Sequence, residues 1–174
     1  MSICLIALVG TPLYLWKYDL HPVLIGMFVF YLIATGTGLA PFLSIIQDPE
    51  VYERYEKVIL THGVREVSEL AYEDFITEQL PNNEFFGEEV RDRLIYYPTV
   101  TREEFRTQGR LTDAMSSGKL FEEIGLPKPT LEDDRFMICG SPSMLKDTCA
   151  IIEEWGFKES RHGIQAHYVI ERAF

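Results

Sequence analysis

Apolar residues along the chain fall into two patterns: short unbroken β-rich runs, and stretches where they recur at helical spacing. Phe28-Val29-Phe30-Tyr31-Leu32-Ile33 is apolar at every position, as a parallel strand covered on both faces must be. Val58-Ile59-Leu60-Thr61, Leu94-Ile95-Tyr96-Tyr97, Arg135–Cys139 and His167-Tyr168-Val169-Ile170 predict further strands. Between them the pattern turns helical. A short helix is expected from Ala40 to Asp48, with Pro41 in its first turn and Asp48-Pro49 as its stop. Tyr52–Lys57 reads as a charged connection. Leu70, Ala71, Phe75, Ile76 and Leu80 form a helical stripe with Ser68 as its cap and Pro81 as its end. Thr99–Pro129 is irregular apart from a short helix over Lys119–Ile124. A last helix starts at Pro142 under a Ser141 cap, buries Leu145, Thr148, Cys149, Ile152 and Trp155, and stops at Gly156. Strands alternating with helices predict an α/β fold: a parallel five-stranded sheet flanked by helices, joined by right-handed crossovers. In such sheets ligands bind beyond the carboxyl ends of the strands, which selects the loops after Ile33, Thr61, Tyr97 and Ile138.

The opening residues need separate treatment. No charge occurs between His21 and Gln47, yet the apolar run from Val23 to Ala34 breaks into Thr35-Gly36-Thr37-Gly38 and Pro41. A lipid-facing helix has no use for that break, so the run reads as a buried strand and a membrane partner is not expected. Residues 1–27 are taken as an atypical hydrophobic N-terminal segment and residues 28–174 as the domain proper. With 47% hydrophobic residues, 174 residues can build one real core. A net charge of −11 disfavours nucleic acid. Cys4, Cys139 and Cys149 form no C-x-x-C pair and suggest a reducing, cytoplasmic setting. No histidine falls in a metal or catalytic motif, and no metal site is expected.

Each of the four loops carries unusual chemistry. Thr35-Gly36-Thr37-Gly38-Leu39-Ala40-Pro41 is a G-x-G-x-x-P turn, whose glycines let backbone approach a pyrophosphate ahead of a helix start. It lacks the third glycine of the common dinucleotide fingerprint and the G-K-[ST] of an ATP loop. The second strand runs into His62-Gly63-Val64-Arg65, where an NAD-binding fold would put an acid for the ribose hydroxyls. Arg65, with Arg102 and Arg110 from the irregular stretch, suits the extra 2′-phosphate of NADP through bidentate contacts. The plainer alternative pairs these arginines with Glu66, Glu103 or Asp113. After the fourth strand, Cys139-Gly140-Ser141-Pro142-Ser143-Met144 sets a thiol at the crevice mouth before a capped helix; a buried structural cysteine is the alternative.

Taken in order, Ala34–Phe42, His62–Arg65, Tyr97–Glu103, Gly109–Asp113, Cys139–Met144 and the ending Tyr168–Phe174 resemble the bacterial ferredoxin–NADP⁺ reductases. The resemblance runs from Leu32 onward and covers their NADP-binding domain. It implies hydride exchange between NADP(H) and FAD, with single electrons passed to ferredoxin or flavodoxin. Thr35, Gly36, Thr37 and Gly38 would hold the pyrophosphate, and Thr37 and Cys139 would flank the nicotinamide as the catalytic pair. Gly140, Ser141 and Met144 would line the same cofactor, and Arg65, Arg102 and Arg110 would grip the 2′-phosphate. Ala173 and Phe174 would lie near the flavin and gate nicotinamide entry.

The pattern departs from the family at its start. Nothing matches the Arg-x-Tyr-Ser flavin motif, and Leu8-Val9-Gly10-Thr11 is at most a trace of the last flavin-barrel strand. The expectation is a chain that binds NADP weakly and holds no flavin, with its activity alone left open. Two other readings compete: an NADH-dependent reductase module serving an oxygenase, and a noncatalytic nucleotide-binding or membrane-anchored protein.

Overall fold

The structure, a computed structural model, describes residues 28–161 and 164–171. Its frame is a five-stranded sheet in the order β3-β2-β1-β4-β5, parallel throughout. The strands are β1 (Val29–Thr35), β2 (Lys57–Val64), β3 (Leu94–Val100), β4 (Arg135–Cys139) and β5 (Tyr168–Glu171). All five predicted strands are present. The run Val23–Ala34 therefore contributes strand from Val29 onward, while its first residues lie outside the described part. Among the described residues no helix is long and apolar enough to cross a membrane.

Among the described residues six α-helices pack on the sheet: α1 (Ala40–Ile46), α2 (Pro49–Arg54), α3 (Gly87–Arg93), α4 (Leu111–Ser117), α5 (Lys119–Ile124) and α6 (Pro142–Glu154). The expected helix after the glycine turn, the one over Lys119–Ile124 and the Ser141-capped helix are as the pattern predicts. Asp48 does more than stop α1: its side chain accepts from the Glu50 amide and starts α2, so part of the expected charged connection is helical. The helix expected over residues 68–80 is not formed as one piece. Ser68 lies inside a 3₁₀ turn, Val67–Glu69, and caps nothing; Tyr72 takes a left-handed φ of 67°; and a π-type turn, Phe75–Gln79, follows. Leu70, Ile76 and Leu80 are nevertheless buried, so the apolar stripe reports burial without reporting helix.

Alternate residues of each strand feed two cores. Toward α4, α5 and α6 lie Tyr31, Ile33, Ile59, Tyr97, Phe136 and Ile138, with Tyr31 stacked on Phe136 at 4.7 Å between ring centroids. Toward α1, α2 and α3 lie Leu32, Val58, Leu60 and Met137, closed by Phe42, Ile46 and Tyr52. Both sides of β1 are therefore dry, which explains its unbroken apolar run. Pro98 sits within β3 rather than ending it. That is tolerable because β3 is an edge strand, where a missing N–H need break no ladder bond.

Candidate functional site

The strand order reverses between β1 and β4: the chain leaves β1 toward β2 and β3, and leaves β4 toward β5. That is the switch point at which the two following loops diverge and open a crevice. The loop after β1 is a 3₁₀ turn, Gly36–Leu39, that runs directly into α1. The loop after β4 is Gly140 and the Ser141 cap of α6, whose side chain accepts from the Met144 amide at 3.4 Å. The two loops are stitched together: the Ser141 amide donates to Thr35 Oγ1 at 3.4 Å.

Two features demand glycine here. Gly36 has a φ of +52°, with open space where a side chain would stand. Gly38 instead makes a close approach: a Cβ would lie 2.9 Å from the Gly140 Cα and nearer still to the Cys139 carbonyl. Gly140 meets Thr35 and Met144 in the same way. The glycines thus let the first loop lie directly against the end of β4, while Gly36 and Thr37 stay exposed.

The arginines come from the carboxyl ends of β2 and β3. The Arg102 amide donates to the Arg65 carbonyl at 2.9 Å, so these two backbones are joined just past the sheet. Arg110 is the N-cap residue of α4, and the preceding Gly109 amide donates to the Val100 carbonyl at 2.9 Å. All three side chains are exposed, and among the described residues none forms an ion pair within 4.0 Å. The pairings with Glu66, Glu103 and Asp113 are not made. The one acid that reports on the cluster is Glu69. The Arg65 amide holds its carboxyl below the usual carboxylate range, helped by the Glu66 amide and by the Arg65 and Arg102 charges, against some loss of hydration. Nearby Arg106 differs: it pairs with Glu73 and lies over the Phe105 ring.

Not every expected residue reaches the crevice. Cys139 ends β4 with its side chain 0% exposed, packed with Leu32, Ala34 and Phe42 on the α1 side of the sheet. The thiol is not at the crevice mouth; the Cys139 carbonyl meets the glycine turn instead. Strand parity decides this, because Cys139 pairs with Ala34 and shares its face, opposite to Thr35 and Gly140. Met144 is likewise buried, its sulfur accepting from the Thr148 hydroxyl at 3.2 Å. Ala173 and Phe174 lie outside the described residues.

Two buried polar side chains at this edge escaped the sequence reading. Thr99, on β3 beside Gly63, is 2% exposed, and its hydroxyl has no partner among the described residues. His62, on β2, is 1% exposed. Its Nε2 lies 3.2 Å from the Gly36 carbonyl and its Nδ1 lies 3.4 Å from the Tyr96 hydroxyl. A carbonyl only accepts, so Nε2 carries the proton and Nδ1 is left to accept from Tyr96. Burial pushes the His62 pKa down, against the raising effect of the Gly36 bond and of Glu73 and Glu69, so the ring is neutral near pH 7. The signal was available: His62 follows Leu60 by two residues on a strand dry on both faces.

A parallel sheet, a glycine turn at its switch point and unpaired arginines beyond the next two strands define a dinucleotide-binding α/β domain. The chain belongs to the family of oxidoreductase NAD-binding domains, whose sequence profile matches residues 32–150. Within that class it is similar to the ferredoxin–NADP reductases of Azotobacter vinelandii, 66% identical over 145 residues, and Pseudomonas aeruginosa, 67% identical over 145 residues. Each match covers 83% of this chain and 56% of the relative, so the chain spans about half the length of those proteins. Among solved structures it is similar to a ferredoxin–NADP⁺ reductase from Neisseria gonorrhoeae with bound FAD and NADP. That likeness has a TM-score of 0.73 at 28% identity, over 84% of this chain and 56% of the other.

Proposed function

We propose that this chain supplies the NADP(H)-binding half of a ferredoxin (or flavodoxin)–NADP⁺ reductase, in which NADP(H) and FAD exchange a hydride. The observation that carries the reading is the arginine cluster. Arg65 and Arg102 are joined through their backbones, Arg110 stands beside the end of β3, and none of the three is neutralised by an ion pair among the described residues. Position singles these three out: they stand just past the carboxyl ends of β2 and β3, where a phosphate beyond the sheet would meet bidentate donors. The backbone fits the rest of the dinucleotide. Gly36 and Thr37 are exposed at the start of a helical turn, where amides have no intrahelical carbonyl to serve.

Roles then follow by position. Thr35 to Gly38 cradle the pyrophosphate, and Arg65, Arg102 and Arg110 select the 2′-phosphate. Cys139 acts through its carbonyl and its packing beneath the turn, as a positioning residue, while Thr37 borders the nicotinamide. Bound flavin supplies the redox chemistry; the described residues orient the nucleotide beside it. Residues 28–174 form this unit, in a cytoplasmic protein whose electron partner is ferredoxin or flavodoxin. The NADH-dependent alternative lacks support, since β2 runs on into Arg65 where an acid would hold the ribose hydroxyls.

The test is a titration of the purified chain with 2′-phospho-AMP and with AMP. The phosphorylated nucleotide is expected to bind at least about tenfold more tightly, as charge-assisted bonds of about 1.5–3 kcal/mol imply. Arg65→Ala should weaken NADP⁺ binding far more than NAD⁺ binding. Equal losses for both would exclude the proposed role of the cluster.

A further inference from the structure

A glycine turn serves a pyrophosphate only if its peptide planes are held with N–H outward, and glycine itself is the residue least able to hold them. We propose that His62 is the positioning residue that sets the Gly36–Thr37 peptide for anion binding. The inference rests on reading this turn as the pyrophosphate cradle.

The geometry is direct. His62 Nε2–H donates to the Gly36 carbonyl at 3.2 Å from beneath, drawing that oxygen toward the sheet. No peptide in the described structure is cis, and in a trans peptide the carbonyl and the next N–H point opposite ways. Holding the Gly36 oxygen inward therefore turns the Thr37 N–H outward, to the exposed side of the turn. If the plane flipped, a carbonyl oxygen would face the phosphate and repel it. Gly36 itself offers little resistance to such a flip, having no side chain and open space where one would stand. The imidazole adds resistance to that of the 3₁₀ turn itself, because the ring is 1% exposed and cannot swing away into solvent. Tyr96, from β3, fixes the tautomer by meeting Nδ1 at 3.4 Å. A lysine here would bury a charge, and a leucine would leave the Gly36 carbonyl with only the Leu39 amide of its own 3₁₀ turn as donor.

The experiment compares His62→Gln with His62→Asn in the full chain. Glutamine reaches about as far as Nε2 and keeps a donor for Gly36; asparagine is shorter and keeps only the Tyr96 side of the bridge. Calorimetric titration should show NADP⁺ affinity reduced about tenfold in His62→Asn and within about threefold of wild type in His62→Gln. Affinity for adenosine 2′-monophosphate, which carries no 5′-phosphate, should stay within about twofold in both. A second readout needs no ligand. In carbon-13-labelled protein the Gly36 carbonyl resonance should move in His62→Asn and stay near wild type in His62→Gln. Unchanged NADP⁺ binding in His62→Asn, equal losses of NADP⁺ and adenosine 2′-monophosphate, or a Gly36 resonance that ignores both substitutions would each overturn the proposal. A wild-type chain that bound neither nucleotide would instead overturn the functional reading, while the Gly36 resonance would still decide whether His62 holds the turn.

Discussion

Gly36 and Gly38 stand two residues apart and are glycines for different reasons. Gly36 needs its left-handed φ of +52° but has open space where a side chain would stand. Gly38 needs the space, since a Cβ would press on the Cys139 carbonyl and the Gly140 Cα, backbone atoms that cannot step aside. Gly36→Ala should therefore cost about 1–2 kcal/mol of stability, the penalty of a left-handed residue. Gly38→Ala should cost about 3 kcal/mol, as overpacking against fixed atoms does. Urea unfolding of the two variants gives the order. A larger loss at Gly36 would mean that conformation, not the approach of β1 to β4, dominates this loop.

At the scale of elements, α6 shows how the crevice is built from a cap. Ser141 plays two parts: its side chain accepts from the Met144 amide, while its own amide donates to Thr35 across the switch point. Ser141→Ala removes the first and leaves the second, so it should cost about 1 kcal/mol without separating the two loops. A urea midpoint measures the loss, and a loss well beyond that would show that the side chain also holds the loops. α6 was legible because thirteen residues display a full apolar stripe and both end signals. α2, α3 and α4, of six or seven residues each, were not. Two turns are too few for a period to show, and α1, equally short, was legible through Pro41 and Asp48-Pro49 rather than through a period; such helices form because tertiary packing holds them. The 67–82 segment failed in the opposite way: its stripe is real, but Tyr72 breaks the helix that the stripe suggested.

Across the whole molecule, titration follows from what the fold buries. His62 has its pKa lowered by burial, and His167 likewise, with Arg135 and Lys158 adding to the effect. A histidine whose folded pKa is depressed gives full stability above its unfolded value of about 6.5 and loses it as the pH falls below. In that range the unfolded chain takes up protons that the folded ring refuses. Asp134 has the opposite sign, since burial raises its pKa and the folded state then binds its proton first. Stability should thus decline from about pH 6.5 downward, by at most about 1.4 kcal/mol per pH unit for each group. His62→Gln should flatten that decline. Thermal melts between pH 7.5 and 5.5 test it, and an unchanged slope would mean that the buried ring is not a source of acid sensitivity.

What the residues alone determined is whatever depends on runs and local chemistry. Five apolar strand runs, the glycine turn, the capped helix and the row of arginines are all visible as patterns, because burial in the sheet and special backbone angles restrict which side chains can occur. What only the tertiary structure decided is parity and neighbourhood. It puts the Cys139 thiol in the core and its carbonyl at the turn, joins Arg65 to Arg102, and brings His62 under Gly36. These pairs are far apart in the chain, and a one-residue change in strand register would send each side chain to the other face of the sheet.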